Sequence, residues 1–232
     1  MTNQWPRPEE PGAWPVPVPQ RRVRSIAGLA KALLILSAGV TLLDVLSAAT
    51  ASNAVDQYQR ASLEGRDPAA VLTWHDLVGI LGALVLLATW VVGSPWLSRA
   101  RANAEAIAPG EQRRSSAWAW LGWLVPIVSL WFPKQIVDDS WRVTSRAGRD
   151  DEPVTARRRD DTGWWWPLWI VYLVLLNITV RLGLNSGGDN QGVYPGLEIA
   201  VAVVSLAALA AWVPVVRGLT ADQDRLAATR LA

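Results

Sequence analysis

Six residues able to pair charges, pass protons or hold a ligand lie inside or at the mouths of long apolar runs. They are Asp44, His75, Asp76, Asn177, Arg181 and Glu198. Ionisable groups in hydrocarbon are costly and are retained where they pair, line a wet cavity or carry a proton. Asp44 lies five residues before the end of the first run, Arg181 three before the end of the third, and Glu198 four past the start of the last. His75 and Asp76 open the second run. In a four-helix topology all of them fall in the outer leaflet at similar depth, with Asn177 one turn below Arg181. An Asp44–Arg181 or Glu198–Arg181 ion pair holding helices together is the expected arrangement. An outward-facing ligand or ion pocket and a proton relay through His75 are the alternatives.

Other chemistry is poorly provided for. The 232-residue chain has no cysteine and one histidine, which removes disulfides, thiolate nucleophiles and His-rich metal sites. It has no Ser/His/Asp arrangement, phosphate-binding glycine loop or zinc motif. Asp138-Asp139 alone is too little for acid–base work, because adjacent residues on a helix point apart. No metal, cofactor or enzymatic activity is expected. The run Arg157-Arg158-Arg159 is followed by Asp160-Asp161, so no nucleic-acid partner is expected either.

The elements that position these residues follow from hydropathy. Half the chain (51%) is hydrophobic and only 18% is charged, with fifteen tryptophans against one phenylalanine. The expected fold is an all-α integral membrane protein with spans near 26–49, 74–96, 164–184 and 194–216. The first run, Ile26 to Ala49, reaches about 36 Å as a helix, enough for a hydrocarbon core of about 30 Å. Ala49-Thr50-Ala51 resembles a signal cleavage site, but a 25-residue tail precedes the run and the run exceeds a signal core. Six of the fifteen prolines fall in residues 1–25, which read as an extended, disordered tail. Residues 50–73 read as a polar loop with a short helix in it. Gly93-Ser94-Pro95 reads as the end of the second span, with Ser94 and Pro95 opening a separate interfacial helix. Residues 142–163 read as a charged linker, 185–192 as a glycine-rich loop and 217–232 as a C-terminal tail.

One further apolar stretch, Ala117 to Pro133, is tryptophan-rich and interrupted by Pro126 and Pro133. If it spans, there are five transmembrane helices, and the arginine-rich linker falls outside. If residues 117–136 dip in and return, there are four, with eighteen basic residues on the inside, three on the outside and Lys31 within the first span. Basic residues favour the cytoplasmic side, so the positive-inside rule selects four spans plus a re-entrant or interfacial helical segment, with both termini cytoplasmic. Lys31 reads as a snorkelling anchor.

Around that segment stand Arg99, Arg101, Asn103, Arg113, Arg114, Trp118, Trp123, Pro126, Trp131, Pro133, Lys134 and Trp141. They read as a cytoplasmic face for an anionic lipid headgroup or a protein partner, with the tryptophans as interface anchors. Ordinary positive-inside topology accounts for the same residues. The runs Trp96-Leu-Ser-Arg-Ala-Arg-Ala-Asn103, Arg113-Arg-Ser-Ser-Ala-Trp118 and Trp123-Leu-Val-Pro-Ile-Val-Ser-Leu-Trp-Phe-Pro-Lys-Gln135, followed by Trp141, resemble a bacterial membrane family. It is the one catalogued as domain of unknown function 4328, and the resemblance spans roughly residues 70 to 220. Ser115-Ser116-Ala117 stands where Ser-Pro-Gly is usual, and Ser129 where asparagine is usual. The resemblance implies a multi-pass membrane protein of the bacterial cytoplasmic membrane and carries over no catalytic residue. The leading expectation is a non-enzymatic scaffold, lipid-interacting or partner-binding module, alone or as a homo-oligomer. A small transporter or channel-like protein using the outer polar cluster is the alternative.

Overall fold

The structure is a computed structural model that describes residues 23–125, 127–147, 163–184 and 194–229. The proline-rich tail up to residue 22, most of the 142–163 linker, the 185–192 loop, Pro126 and the last three residues lie outside the described residues.

Four helices are long and apolar enough to cross a membrane: α1 (Ala27–Leu63), α2 (Trp74–Ile107), α5 (Trp165–Leu184) and α6 (Tyr194–Thr229). Two shorter ones, α3 (Trp118–Leu121) and α4 (Phe132–Ala147), lie between α2 and α5. We call the end of the bundle where α1 starts and α2 finishes the near end, and the opposite end the far end. The long helices overshoot a bilayer. At about 1.5 Å per residue, α1 is roughly 55 Å long against a hydrocarbon core of about 30 Å.

The overshoot of α1 at the far end replaces the polar loop expected from residue 50. Its cause is a seam of small residues. Ala30, Leu33, Val40, Ser47, Ala51, Ala54 and Ala61 are buried, and Ser37, Asp44 and Tyr58 fill the gaps in the same alternation of three and four. That 3.5-residue spacing is the one that keeps a single helix face against a partner helix. Polar residues dominate 50–63 only on the remaining faces. The helix stops at Gly65, whose φ of 71° suits glycine, with the Arg66 N–H donating back to the Ala61 carbonyl at 2.8 Å. A 3-10 turn, Pro68–Ala70, follows, and Thr73 and Asp76 then form a capping box that starts α2.

The break expected at Gly93-Ser94-Pro95 does not occur either, and α2 runs through Pro95 as α6 runs through Pro214. A proline removes one ladder hydrogen bond. Beyond it, however, Leu97, Ala100 and Ala104 of α2 and Val215, Val216 and Leu219 of α6 are essentially inaccessible. Burial of these extensions against α4 outweighs the missing bond.

Residues 117–136 do not form a fifth spanning helix. After α3 come turns, a 3-10 turn at Val128–Leu130, and then α4. The amphipathic α4 lies over the near ends of α2 and α6 and buries Ile136, Val137 and Val143. One core therefore joins Ile26, Ala30 and Leu33 of α1 to Trp96 and Leu97, Ala119, Ile136 and Val137, Trp165 and Trp166, and Leu219.

Close approach of α4 to α6 depends on Gly218. A Cβ there would lie 2.5 Å from Cη2 of Trp141. Gly218→Ala is expected to destabilise the detergent-solubilised protein by about 1–3 kcal/mol through overpacking. Thermal unfolding reads this as a fall in Tm, and Trp141→Leu in the same chain should recover part of it. No recovery would mean that the ring does not set the helix spacing.

Candidate functional site

At the far end the α1 seam faces α6, whose buried stripe holds Glu198, Val201, Ser205 and Ala208 with Tyr194 at its start. His75 enters from the first turn of α2. Its Nε2 is 2.8 Å from the Tyr194 hydroxyl and 3.6 Å from Glu198 Oε1. Its Nδ1 is 3.2 Å from the Ser47 carbonyl and 3.4 Å from the Thr50 hydroxyl. Nδ1–H donating to the carbonyl makes Nε2 an acceptor for the Tyr194 O–H in the neutral ring. Asp44, one turn deeper, faces Ser205 and Tyr172 and lies within electrostatic range of Glu198. Ser205 in turn donates to Thr41 at 3.0 Å. Asp44 Oδ2 is buried without a hydrogen-bond partner.

Asp76 stands beside this group but is engaged elsewhere. Its carboxylate accepts from the Thr73 N–H at 2.7 Å and from the Tyr58 O–H at 2.8 Å, which ties the overshoot of α1 to the start of α2. Burial pushes the Tyr58 phenol above its ordinary pKa. Next to His75 opens a cavity of about 410 Å³ lined by polar residues, among them Thr50, Asn53, Asp56, Gln57 and Arg60. The structure thus brings Asp44, His75 and Glu198 together, with Asp76 alongside. Asn177 and Arg181 sit on the exposed side of α5, where Arg181 Nε donates to Asn177 at 2.8 Å. The ion partner facing Glu198 is His75. The residues that complete the cluster, Ser47, Thr50, Tyr172, Tyr194 and Ser205, carry no charge and drew no attention in the sequence. Their signal was their place on the same seams as Asp44 and Glu198.

At the near end the candidate face is largely turned inward. Asp139, 1% exposed, accepts from Arg113 at 3.0 Å and from Arg142 at 3.1 Å. The bond to Asp139 holds the Arg113 guanidinium above its ordinary pKa. Arg114 donates to Gln135 at 2.8 Å, and its guanidinium lies 3.8 Å over the Phe132 ring. Arg101 donates to the Arg114 carbonyl at 2.6 Å, and Lys134 pairs with Asp138 on the exposed side of α4. Arg99 is exposed.

The tryptophans also pack rather than only anchor. Trp118 meets Phe132 edge-on at 4.8 Å, Trp123 meets Trp169 at 6.3 Å, and Trp166 Nε1 donates to the Leu130 carbonyl at 2.9 Å. Pro133 is buried, Trp141 covers Gly218, and Trp131 remains exposed.

Asn103 belongs to a network whose other members sequence reasoning missed. Its amide accepts from the Arg24 N–H at 2.9 Å, and donates to the Arg24 carbonyl at 2.8 Å and to Gln223 Oε1 at 2.9 Å. Gln223, fully buried, donates to the Ala100 carbonyl at 2.9 Å and to Thr144 at 3.2 Å. Both amides spend all their donors, and they lock the entry to α1 onto α2, α4 and α6.

Residues 59–221, from the overshoot of α1 into α6, match the family described as Domain of unknown function (DUF4328), with Arg24 and Gln223 of the near-end network outside the match. The chain belongs to that family. The match takes in the near-end element and most of the far-end cluster, with Asp44 on its N-terminal side. No curated protein and no solved structure matches the chain. Among the described residues no group of three or more His, Cys, Asp or Glu could hold a metal ion.

Gln223→Ala would leave one N–H of the buried Asn103 amide without its acceptor, while Thr144 keeps its bond to the Ser140 carbonyl and Ala100 its place in the α2 ladder. A stranded buried donor costs about 1–3 kcal/mol. The expected result is a lower Tm in detergent and faster amide exchange at residues 24–27. Unchanged exchange there would show that Gln223 does not hold the start of α1.

Proposed function

We propose that this DUF4328 protein is a non-enzymatic scaffold of the bacterial cytoplasmic membrane, with both termini cytoplasmic and the near end facing the cytoplasm. The observation that carries this reading is the two-sided character of residues 117–136. One side is clamped to the bundle through Trp118, Trp123 and the Leu130 carbonyl. The other leaves Leu121, Leu124, Ile127 and Leu130 between 44% and 70% exposed. An apolar surface held rigidly beside four spans suits insertion into one leaflet.

The basic residues nearby support a structural role more than a headgroup receptor, because Arg113, Arg114, Lys134 and Arg142 already have partners inside the chain. The principal partner is then the acyl region of the bilayer, and a protein partner or second copy would dock on an element already fixed in the membrane. A small transporter remains the second reading, favoured by the buried Asp44, His75 and Glu198 beside a cavity. Against it stands the apolar layer of Val40 and Val201 below them, packed by Val85, Leu86 and Leu176.

A photoreactive residue in place of Ile127 tests the leaflet insertion. Irradiation in native membranes should yield adducts with lipid acyl chains. Reaction only with water would contradict the proposal.

A further inference from the structure

The far-end cluster has a use that the scaffold role neither requires nor supplies. We propose that Asp44, His75 and Glu198 form a proton-binding site that exchanges with the far face through the polar cavity and is closed toward the near end.

Two carboxyls, on α1 and α6, sit in helices long and apolar enough to cross a membrane. The groups that face them are the His75 imidazole, the Tyr172 and Tyr194 phenols and the Ser205 hydroxyl. A single imidazole can balance at most one carboxylate. Burying the second as an anion costs several kcal/mol; the Ser205 and Tyr172 hydroxyls offset part of that at Asp44, whose Oδ2 still has no donor. A bound proton removes that charge without any rearrangement of the helices.

The bonding at His75 accommodates the ring in either protonation state. Nδ1 faces the Ser47 carbonyl, an acceptor, in both. In the neutral ring Nε2 accepts from the Tyr194 O–H, at 2.8 Å. When a proton is added at Nε2, the ring donates toward the Tyr194 oxygen and Glu198, and Tyr194 turns its own O–H to the Glu198 carboxylate. Tyr194 is within hydrogen-bonding reach of both groups. One proton enters, no covalent bond apart from N–H is made, and only a hydroxyl rotates.

His75 and Thr50, 3.4 Å apart, both line the 410 Å³ cavity, which also carries Asp56 and Arg60 of α1. Asp76 and Tyr58, the remaining titratable groups at this corner, bond each other beside it. Toward the near end the cluster meets Val40, Val201 and their apolar neighbours. A proton can therefore reach His75 and Glu198 from the far face; beyond Asp44 the Ser205–Thr41 bond of 3.0 Å is the last on this line, and among the described residues no side-chain hydrogen bond joins Thr41 to a polar group nearer the near end. This is a proton-occupied site and not a conducting path.

Infrared spectroscopy of the full chain in lipid bilayers tests it. At mildly acidic pH the wild type should show a protonated-carboxyl C=O band that disappears as pH is raised. Asp44→Asn should abolish the band or remove its pH response, and Glu198→Gln should shift its midpoint. If Asp44→Asn does not reconstitute, the wild-type titration and Glu198→Gln carry the comparison. Absence of any such band in the wild type overturns the proposal, as does a band that neither substitution alters. A band displaced by sodium at constant pH would make the site a cation site and overturns the proton assignment. Proteoliposomes with an internal pH dye should show no proton flux, and flux abolished by Glu198→Gln would overturn the closed near end.

Discussion

Backbone amides and carbonyls cannot be left unpaired in hydrocarbon, and this constraint governs the whole molecule. The four long helices meet it internally. Residues 117–136 cannot, because their ladder is cut into one short helix, turns and a 3-10 segment before α4 begins. They need partners from outside themselves, and the near end supplies them. Trp166 donates to the Leu130 carbonyl, and the Ser115 and Ser116 carbonyls accept from the first N–H groups of α3. The near-end extensions of α2 and α6 exist to hold this element. Their proline-containing turns are tolerated because α4 packs on them.

The two ends of the bundle treat buried polarity differently. At the near end every donor of Asn103 and Gln223 is used and Asp139 is held by two arginines, while Gln112 Nε2, Ser140 Oγ and Arg142 Nε beside them stay without partners. At the far end Asp44 keeps an oxygen without a partner, and His75 touches more hydrogen-bond partners than one protonation state can use. Unpartnered polar atoms occur at both ends, and what sets the far-end group apart is the polar cavity that opens beside His75.

Much of this was legible in the amino-acid order. Four apolar runs mark four spans, and the basic residues on either side of the 117–136 stretch favour its return over a fifth crossing. What the order hid falls into two kinds. Helix ends were hidden because α1 beyond residue 49 is polar on most of its surface, and only the spacing Ser47, Ala51, Ala54, Tyr58, Ala61 shows that a face stays buried. Partnerships were hidden because they join residues far apart in the chain. Arg181 shares a depth with Asp44 along the chain but sits on the exposed side of α5, and His75 meets Glu198 instead. Tryptophan was read as an interface marker, yet Trp96, Trp165 and Trp166 are core residues, because a ring that donates one hydrogen bond can also fill a gap between helices.

The central claim is that the chain crosses the membrane four times and that residues 117–136 return to the side they entered from. The chain has no cysteine, so single cysteines report without interference. Membrane-impermeant thiol labelling at positions 116, 145 and 186 in intact cells tests this directly. The four-span account predicts the same protection at 116 and 145, on either flank of the segment, and labelling at 186. Opposite accessibility at 116 and 145 would make the segment a fifth span and contradict it.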